Sequence, residues 1–253
     1  MKQKINMIGG GFQHDICSSA NNQNQYVEWV KDNSSNISIH IDRGIFYDMY
    51  SDKRKFGWIA ESSAIIPDII NNVKNQINKL NDCYELIFTH DKRLLGLSDK
   101  MRLVIPNACP WIQDRKIYNK TKLISMIASH KQMCEGHKYR VSWIDKLQGQ
   151  LNMFGYGSNP INKKEQGLND YYFSVAIEND NYSNIFCEKL TDCFATGTIP
   201  IYWGSPDVGE IFNEDGIIRL TDNFKISDLS IDLYESKLDI IKENFEGLEN
   251  LEN

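Results

Sequence analysis

Between Tyr171 and Asn213 the sequence YYFSVAIENDNYSNIFCEKLTDCFATGTIPIYWGSPDVGEIFN gathers residues suited to holding an anionic ligand. It reads as a strand (Tyr171 to Ile177), a polar loop Glu178-Asn179-Asp180-Asn181, a helix from Ile185 to Thr196 ended by Gly197, and a second strand from Thr198 to Trp203. Ser183 or Asn184 can cap that helix, leaving backbone N–H groups at its start, and such a terminus is a natural diphosphate site. Lys189 in the opening turns adds a positive charge. Glu188 beside it repels phosphate and suits the neutral hydroxyls of a ribose or sugar. Earlier in the chain, Phe56-Gly57-Trp58-Ile59-Ala60-Glu61-Ser62-Ser63 sets one acid at the end of an apolar strand. Burial beside Trp58 would raise the Glu61 pKa toward that of a general base, while a first-turn glutamate favoured by the following helix is the structural alternative.

The elements that must position these groups alternate strands with helices in both halves of the chain. Ile5 to Ile8 reads as a strand entering the Gly9-Gly10-Gly11 turn, and His14 breaks the G-x-G-x-x-G pattern of a dinucleotide site. Ile37, Ile39 and Ile41 alternate at strand period. Ile66, Ile69, Ile70, Val73, Ile77 and Leu80 recur at helical spacing, with Pro67 in the first turn. Tyr84 to Phe88 and Arg102 to Ile105 are further strands. Past Pro106 and Pro110 a basic stretch of Arg115, Lys116, Lys120 and Lys122 marks the crossing between lobes, predicted as residues 1–115 and 116–253. Lys122 to Ser129 reads as a strand and Tyr139 to Leu147 as a helix. Tyr234, Leu238, Ile241, Phe245 and Leu248 form one terminal helical stripe. The pattern is α/β with parallel sheets, whose ligands bind beyond the carboxyl ends of the strands.

With 253 residues, 41% hydrophobic and 25% charged, the chain can bury a core without staples. A net charge of −6 argues against a nucleic-acid binder. The six cysteines (17, 83, 109, 134, 187 and 193) contain no C-x-x-C pair and read as small reduced hydrophobes. Met1 to Asp15 has no apolar segment long enough for a signal peptide or membrane anchor, which predicts a cytoplasmic protein without a membrane span.

Glu178-Asn179, then Glu188-Lys189-Leu190, Ala195, Gly197 and Ile199-Pro200-Ile201-Tyr202-Trp203-Gly204-Ser205-Pro206 together resemble the signature of the α-1,3-fucosyltransferases, glycosyltransferase family ten. Ser125-Met126-Ile127-Ala128-Ser129, followed by Gly136-His137 and Arg140, is similar to the family segment in which a strand ends in Ser and an Arg follows; Trp58 to Ser62 resembles its W-x-x-E-S block. The resemblance implies a GT-B-like fold of two Rossmann-like lobes with an interlobe cleft. It implies inverting transfer of fucose from GDP-fucose to a glycan or glycoconjugate hydroxyl. By the same resemblance Glu188 binds the donor ribose, Lys189 its phosphates with Asn179 nearby, Arg140 faces the diphosphate, and Glu61 is the base. Arg140 suits that task because a planar guanidinium grips phosphate bidentately, though as a lone residue it reads equally as a surface arginine. No two aspartates are separated by one residue, so the D-x-D motif is absent and no metal or other cofactor is expected. His14-Asp15, His90-Asp91, Trp111 and Trp203 are lesser candidates for lining an acceptor cleft or stacking on sugar, and a strand Trp such as Trp203 more often belongs to a core. The family commonly has Tyr-x-Thr before Glu-Lys, where this chain has Ile185 and Cys187. That leaves open another GDP-sugar as donor. A non-catalytic nucleotide-sugar or glycan-binding module and an NAD-binding Rossmann protein are the remaining alternatives.

Overall fold

A computed structural model describes residues 2–9, 26–47, 53–105, 108–155, 157 and 159–251. Gly10, Gly11, His14, Asp15, Cys17 and Pro106 lie outside the described residues. The chain divides into two compact units, Met1–Pro106 with Ser183–Ile185, and Asn107–Tyr182 with Phe186–Asn253.

The first unit is built on β1 (Gln3–Gly9), β2 (Val27–Val30), β3 (Ile37–Ile41), β4 (Arg54–Ile59), α1 (Ile69–Cys83), β5 (Leu86–Thr89), α2 (Lys92–Leu95) and β6 (Met101–Leu103). Its six strands lie in the order β2-β1-β3-β4-β5-β6, and every pairing is parallel. α1 buries Ile69, Ile70, Val73 and Leu80, the stripe its spacing predicts, against Ile45, Ile59 and Ile87. It starts at Ile69, so Pro67 precedes the helix instead of opening it.

The second unit comprises β7 (Lys122–Ile127), α3 (Glu135–Leu147), β8 (Asn152–Phe154), β9 (Tyr171–Ile177), α4 (Glu188–Thr196), β10 (Ile199–Trp203), β11 (Ile218–Arg219), α5 (Ile231–Glu235) and α6 (Leu238–Gly247). The strand order is β11-β10-β9-β7-β8, again all parallel. From β7 the chain moves outward to β8, then returns to place β9 on the other side of β7. The direction of winding therefore reverses between β7 and β9, and in open parallel sheets the carboxyl ends at such a reversal frame the ligand crevice. β9 is buried along almost its whole length, as the central strand of a sheet covered on both faces must be. The terminal stripe is broken at Ser236 and Lys237 into α5 and α6, so one predicted helix is two.

Candidate functional site

The carboxyl end of β9 delivers Glu178, whose side chain is buried and organises the start of α4. Its Oε1 accepts the Cys187 N–H at 2.9 Å. Its Oε2 lies 3.2 Å from Lys189 Nζ and 2.8 Å from Cys187 Sγ. Room for this carboxylate depends on Gly204, where a Cβ would stand 2.6 Å from Glu178 Cγ and 2.2 Å from the Tyr202 hydroxyl. The segment Ile199 to Ser205 is thus largely architectural. Ile199 and Ile201 fill the core, and the Tyr202 hydroxyl accepts the Ser205 N–H at 3.1 Å.

The helix does not begin where the sequence predicts. Ser183–Ile185 belong with the first unit, where Asn184, at φ +57°, donates from its side chain to the His90 carbonyl. Neither Ser183 nor Asn184 therefore caps α4; Cys187 takes that position without a side-chain cap bond. Gly197 closes the helix as predicted, in the left-handed conformation that favours glycine.

Opposite α4, the first turn of α3 packs on the loop after β9. Gly136 makes this possible, since a Cβ there would come within 2.3 Å of the Asn179 carbonyl oxygen. The next residue, His137, accepts the Met133 N–H on Nδ1, so Nε2 carries the proton and donates to Asn179 Oδ1 at 3.0 Å. Burial, followed by the Arg140 charge, lowers the His137 pKa and keeps the ring neutral. One turn on, buried Arg140 donates from Nε to the Ser129 carbonyl at 3.2 Å and from Nη2 to the Ser129 hydroxyl at 3.3 Å. Burial lowers its pKa, with Cys134 and Glu178 opposing.

These elements line an open-mouthed cavity of about 270 Å³, whose lining includes Ser129, Arg140, Lys164, Glu188, Lys189 and Asp192. Three predicted residues, Arg140, Glu188 and Lys189, thus come together around one space at the β7/β9 reversal. Asn179 is tied to α3 through His137 at the same end of the sheet. Burial opposes the charge on Lys189, but the negative groups around it more than offset that and hold its pKa well above the usual value. Cys187 is pushed up by burial and stays a neutral thiol, so Glu178 and Glu188 supply the attraction. Burial alone would raise Glu188; Lys189 and Lys164 reverse this and hold it down at about 2.

Lys164 and Asp192 were not singled out in the sequence. Lys164 bridges Glu188 Oε1 at 3.1 Å and Asp192 Oδ2 at 2.8 Å, with its ammonium 4.3 Å from the centre of the Trp111 ring. The signal was the i,i+4 spacing of Glu188 and Asp192 on one helix face, which asks for a cation. Trp111 is half-exposed beside this cation, whereas Trp203 packs on Tyr139 with ring centres 4.8 Å apart.

Glu61 lies in the first unit, two residues beyond β4. Its N–H and that of Ala60 both donate to Asp42 Oδ1 at 2.9 Å, and its own Oε1 accepts the Ser62 N–H at 3.0 Å. Because α1 starts only at Ile69, Glu61 is not a first-turn residue of that helix. Asp91 caps α2 and pairs with Arg93, which accounts for its burial. Among the described residues no helix is long and apolar enough to cross a membrane.

Two successive all-parallel α/β sheets are the construction of GT-B glycosyltransferases, and solved structures agree. A crystal structure of an α1,3-fucosyltransferase with GDP superposes with a TM-score of 0.54 at 16% identity, covering 98% of this chain and 81% of that one. Phage T4 BGT with UDP and Mn2+ gives 0.50 at 12% identity, covering 99% and 95%. Residues 117–241, which lie in the second unit apart from Ser183–Ile185, match the model of glycosyltransferase family 10 (fucosyltransferase), C-terminal part. The α-(1,3)-fucosyltransferase FucT of Helicobacter pylori is 31% identical over 133 residues, which cover 50% of this chain. The match spans only 27% of that relative's length.

Proposed function

We propose that the protein is an inverting glycosyltransferase that moves fucose from GDP-fucose to a hydroxyl of a glycan or glycoconjugate acceptor. The observation that carries this reading is the meeting of Arg140, Lys189 and Glu188 around one cavity at the strand-order reversal of the part that matches the family 10 model. A departing nucleoside diphosphate develops charge on its phosphate oxygens, and preorganised cations in a water-poor site stabilise that charge without reorganising. In this reading Arg140 and Lys189 do so, Asn179 assists from the loop after β9, and Glu188 accepts from the ribose hydroxyls. These two cations make a metal ion or other cofactor unnecessary for departure of the diphosphate.

Inversion needs a base for the acceptor proton, and Glu61 is the candidate, its backbone held by Asp42. Cys187 and Ile185 replace the Thr and Tyr usual in the family, which favours a second reading with another GDP-sugar as donor. The test is GDP release from GDP-fucose with a panel of oligosaccharides in EDTA. Acceptor-dependent release that persists in EDTA supports the proposal, and the Glu61→Gln variant should lose about a hundredfold or more. A strict divalent-metal requirement would sink the metal-free mechanism, and full activity in Glu61→Gln would remove the base assignment. Release only from another GDP-sugar would keep the mechanism and change the substrate.

A further inference from the structure

Lys164 reaches the cavity from a short turn that no motif marks, and everything around it is fixed. The turn, Lys164–Gly167, is held to β7 by the Ser125 hydroxyl, which donates to the Gly167 carbonyl at 2.6 Å. Gly167 lies so close to Ile127 that a Cβ would meet its side chain at 2.8 Å. On its far side, Lys164 contacts Asp192, whose Oδ1 is bound by the N–H groups of Trp111 and Ile112 at 2.7 and 3.1 Å. Asp192 and the Trp111 ring therefore pin the ammonium, and the ammonium in turn pins Glu188 Oε1.

We propose that Lys164 is a positioning residue that orients the Glu188 carboxylate toward the ribose hydroxyls of the donor, making the protein selective for ribonucleotides over 2′-deoxyribonucleotides. This rests on the reading of the cavity as a nucleotide site. An ionised carboxylate is an acceptor only, so it can accept a hydrogen bond from each of two vicinal hydroxyls. Holding that charge beside an anionic diphosphate requires a cation committed to it. Lys189 stands farther away, at 4.0 Å, and is engaged with Glu178 at 3.2 Å. Lys164, at 3.1 Å from Glu188 and held by Asp192 and the Trp111 ring, fills the need.

The experiment measures the dissociation constants of GDP and 2′-deoxy-GDP by calorimetry on the full chain. The wild type should prefer GDP about tenfold or more, the worth of a hydrogen bond to a charged group. Lys164→Met should shrink that preference below about threefold, chiefly by weakening GDP. Lys164→Arg, which keeps the charge, should restore part of it. Because Lys164→Met leaves Asp192 buried without its cation, the double variant Lys164→Met/Asp192→Asn serves if the single one does not fold. Undiminished preference in Lys164→Met, with both nucleotides weakened alike or neither, overturns the inference and reduces Lys164 to a structural ion pair. If Glu188→Gln collapses the preference in that case, the ribose reading stands while this inference falls. Equal wild-type binding of both nucleotides removes the ribose role of Glu188 and this inference together, and no GDP binding removes the nucleotide site itself.

Discussion

Replacing Gly136 with alanine sets two effects of opposite sign against each other. Position 136 is in the first turn of α3, where helix propensity alone predicts that alanine stabilises by up to about 1 kcal/mol. The close approach predicts the reverse. The added methyl would meet the Asn179 carbonyl oxygen at 2.3 Å, its carbon at 2.5 Å and the Glu178 oxygen at 2.7 Å, all of them backbone. No side chain can swing aside, so the helix end must retreat by roughly 1 Å, at the ~1–3 kcal/mol typical of overpacking. The clash outweighs the propensity, and a drop of several degrees in Tm is expected at about 2–4 °C per kcal/mol. The same retreat separates His137 from Asn179 and moves Arg140 with the helix. GDP affinity should then fall about fivefold or more even at temperatures where the variant is fully folded. Thermal melts and a GDP titration of the two proteins decide it. A variant with equal or higher Tm and unchanged GDP affinity would refute the claim that close packing of α3 on the β9 loop builds the site.

Lys189→Met should weaken GDP about tenfold to a hundredfold, the range for a hydrogen bond to a charged partner, and also lower stability by leaving buried Glu178 short of its cation; unchanged affinity by calorimetry would remove Lys189 from the diphosphate site. The Glu188 pKa is held below its usual 4.5, at about 2, so its pairing contributes stability above pH 4.5 that is lost as pH falls toward 2. The unfolding free energy from urea titrations should therefore fall further between pH 6 and pH 3 for the wild type than for Glu188→Gln, by on the order of 2 kcal/mol, and equal falls would contradict the pairing. Arg140→Ala should weaken GDP while Arg140→Lys restores only part of the loss, because lysine cannot reproduce the fork; full restoration by lysine would show that charge alone matters there.

The sequence was most legible where local pattern and packing coincide. Tyr171–Ile177 is a strand from end to end because a central parallel strand is apolar on both faces, and Gly197 closes α4 because only glycine takes a left-handed cap at little strain. The recognisable Ile199 to Pro206 segment points to the site, yet what it supplies is mostly core and the space for Glu178. Other features were hidden because their causes are distant in sequence. Asn184, a predicted cap of α4, instead donates to the His90 carbonyl, 94 residues away. Lys164 meets Glu188 and Asp192 from 24 and 28 residues away, on a turn too short to carry a periodic signal. The break between α5 and α6 falls inside an apolar stripe that runs through it unbroken, so periodicity gave no warning.

The central claim is that the second unit holds a guanine-nucleotide sugar at the carboxyl ends of β7 and β9. Its most direct test is the shift in melting temperature produced by GDP, GDP-fucose, other GDP-sugars, UDP and NAD, since a ligand that binds only the folded state raises Tm by mass action. The account predicts stabilisation by GDP, a larger one by GDP-fucose, and loss of both in Lys189→Met. Stabilisation by UDP or NAD with no response to any guanine nucleotide would contradict it.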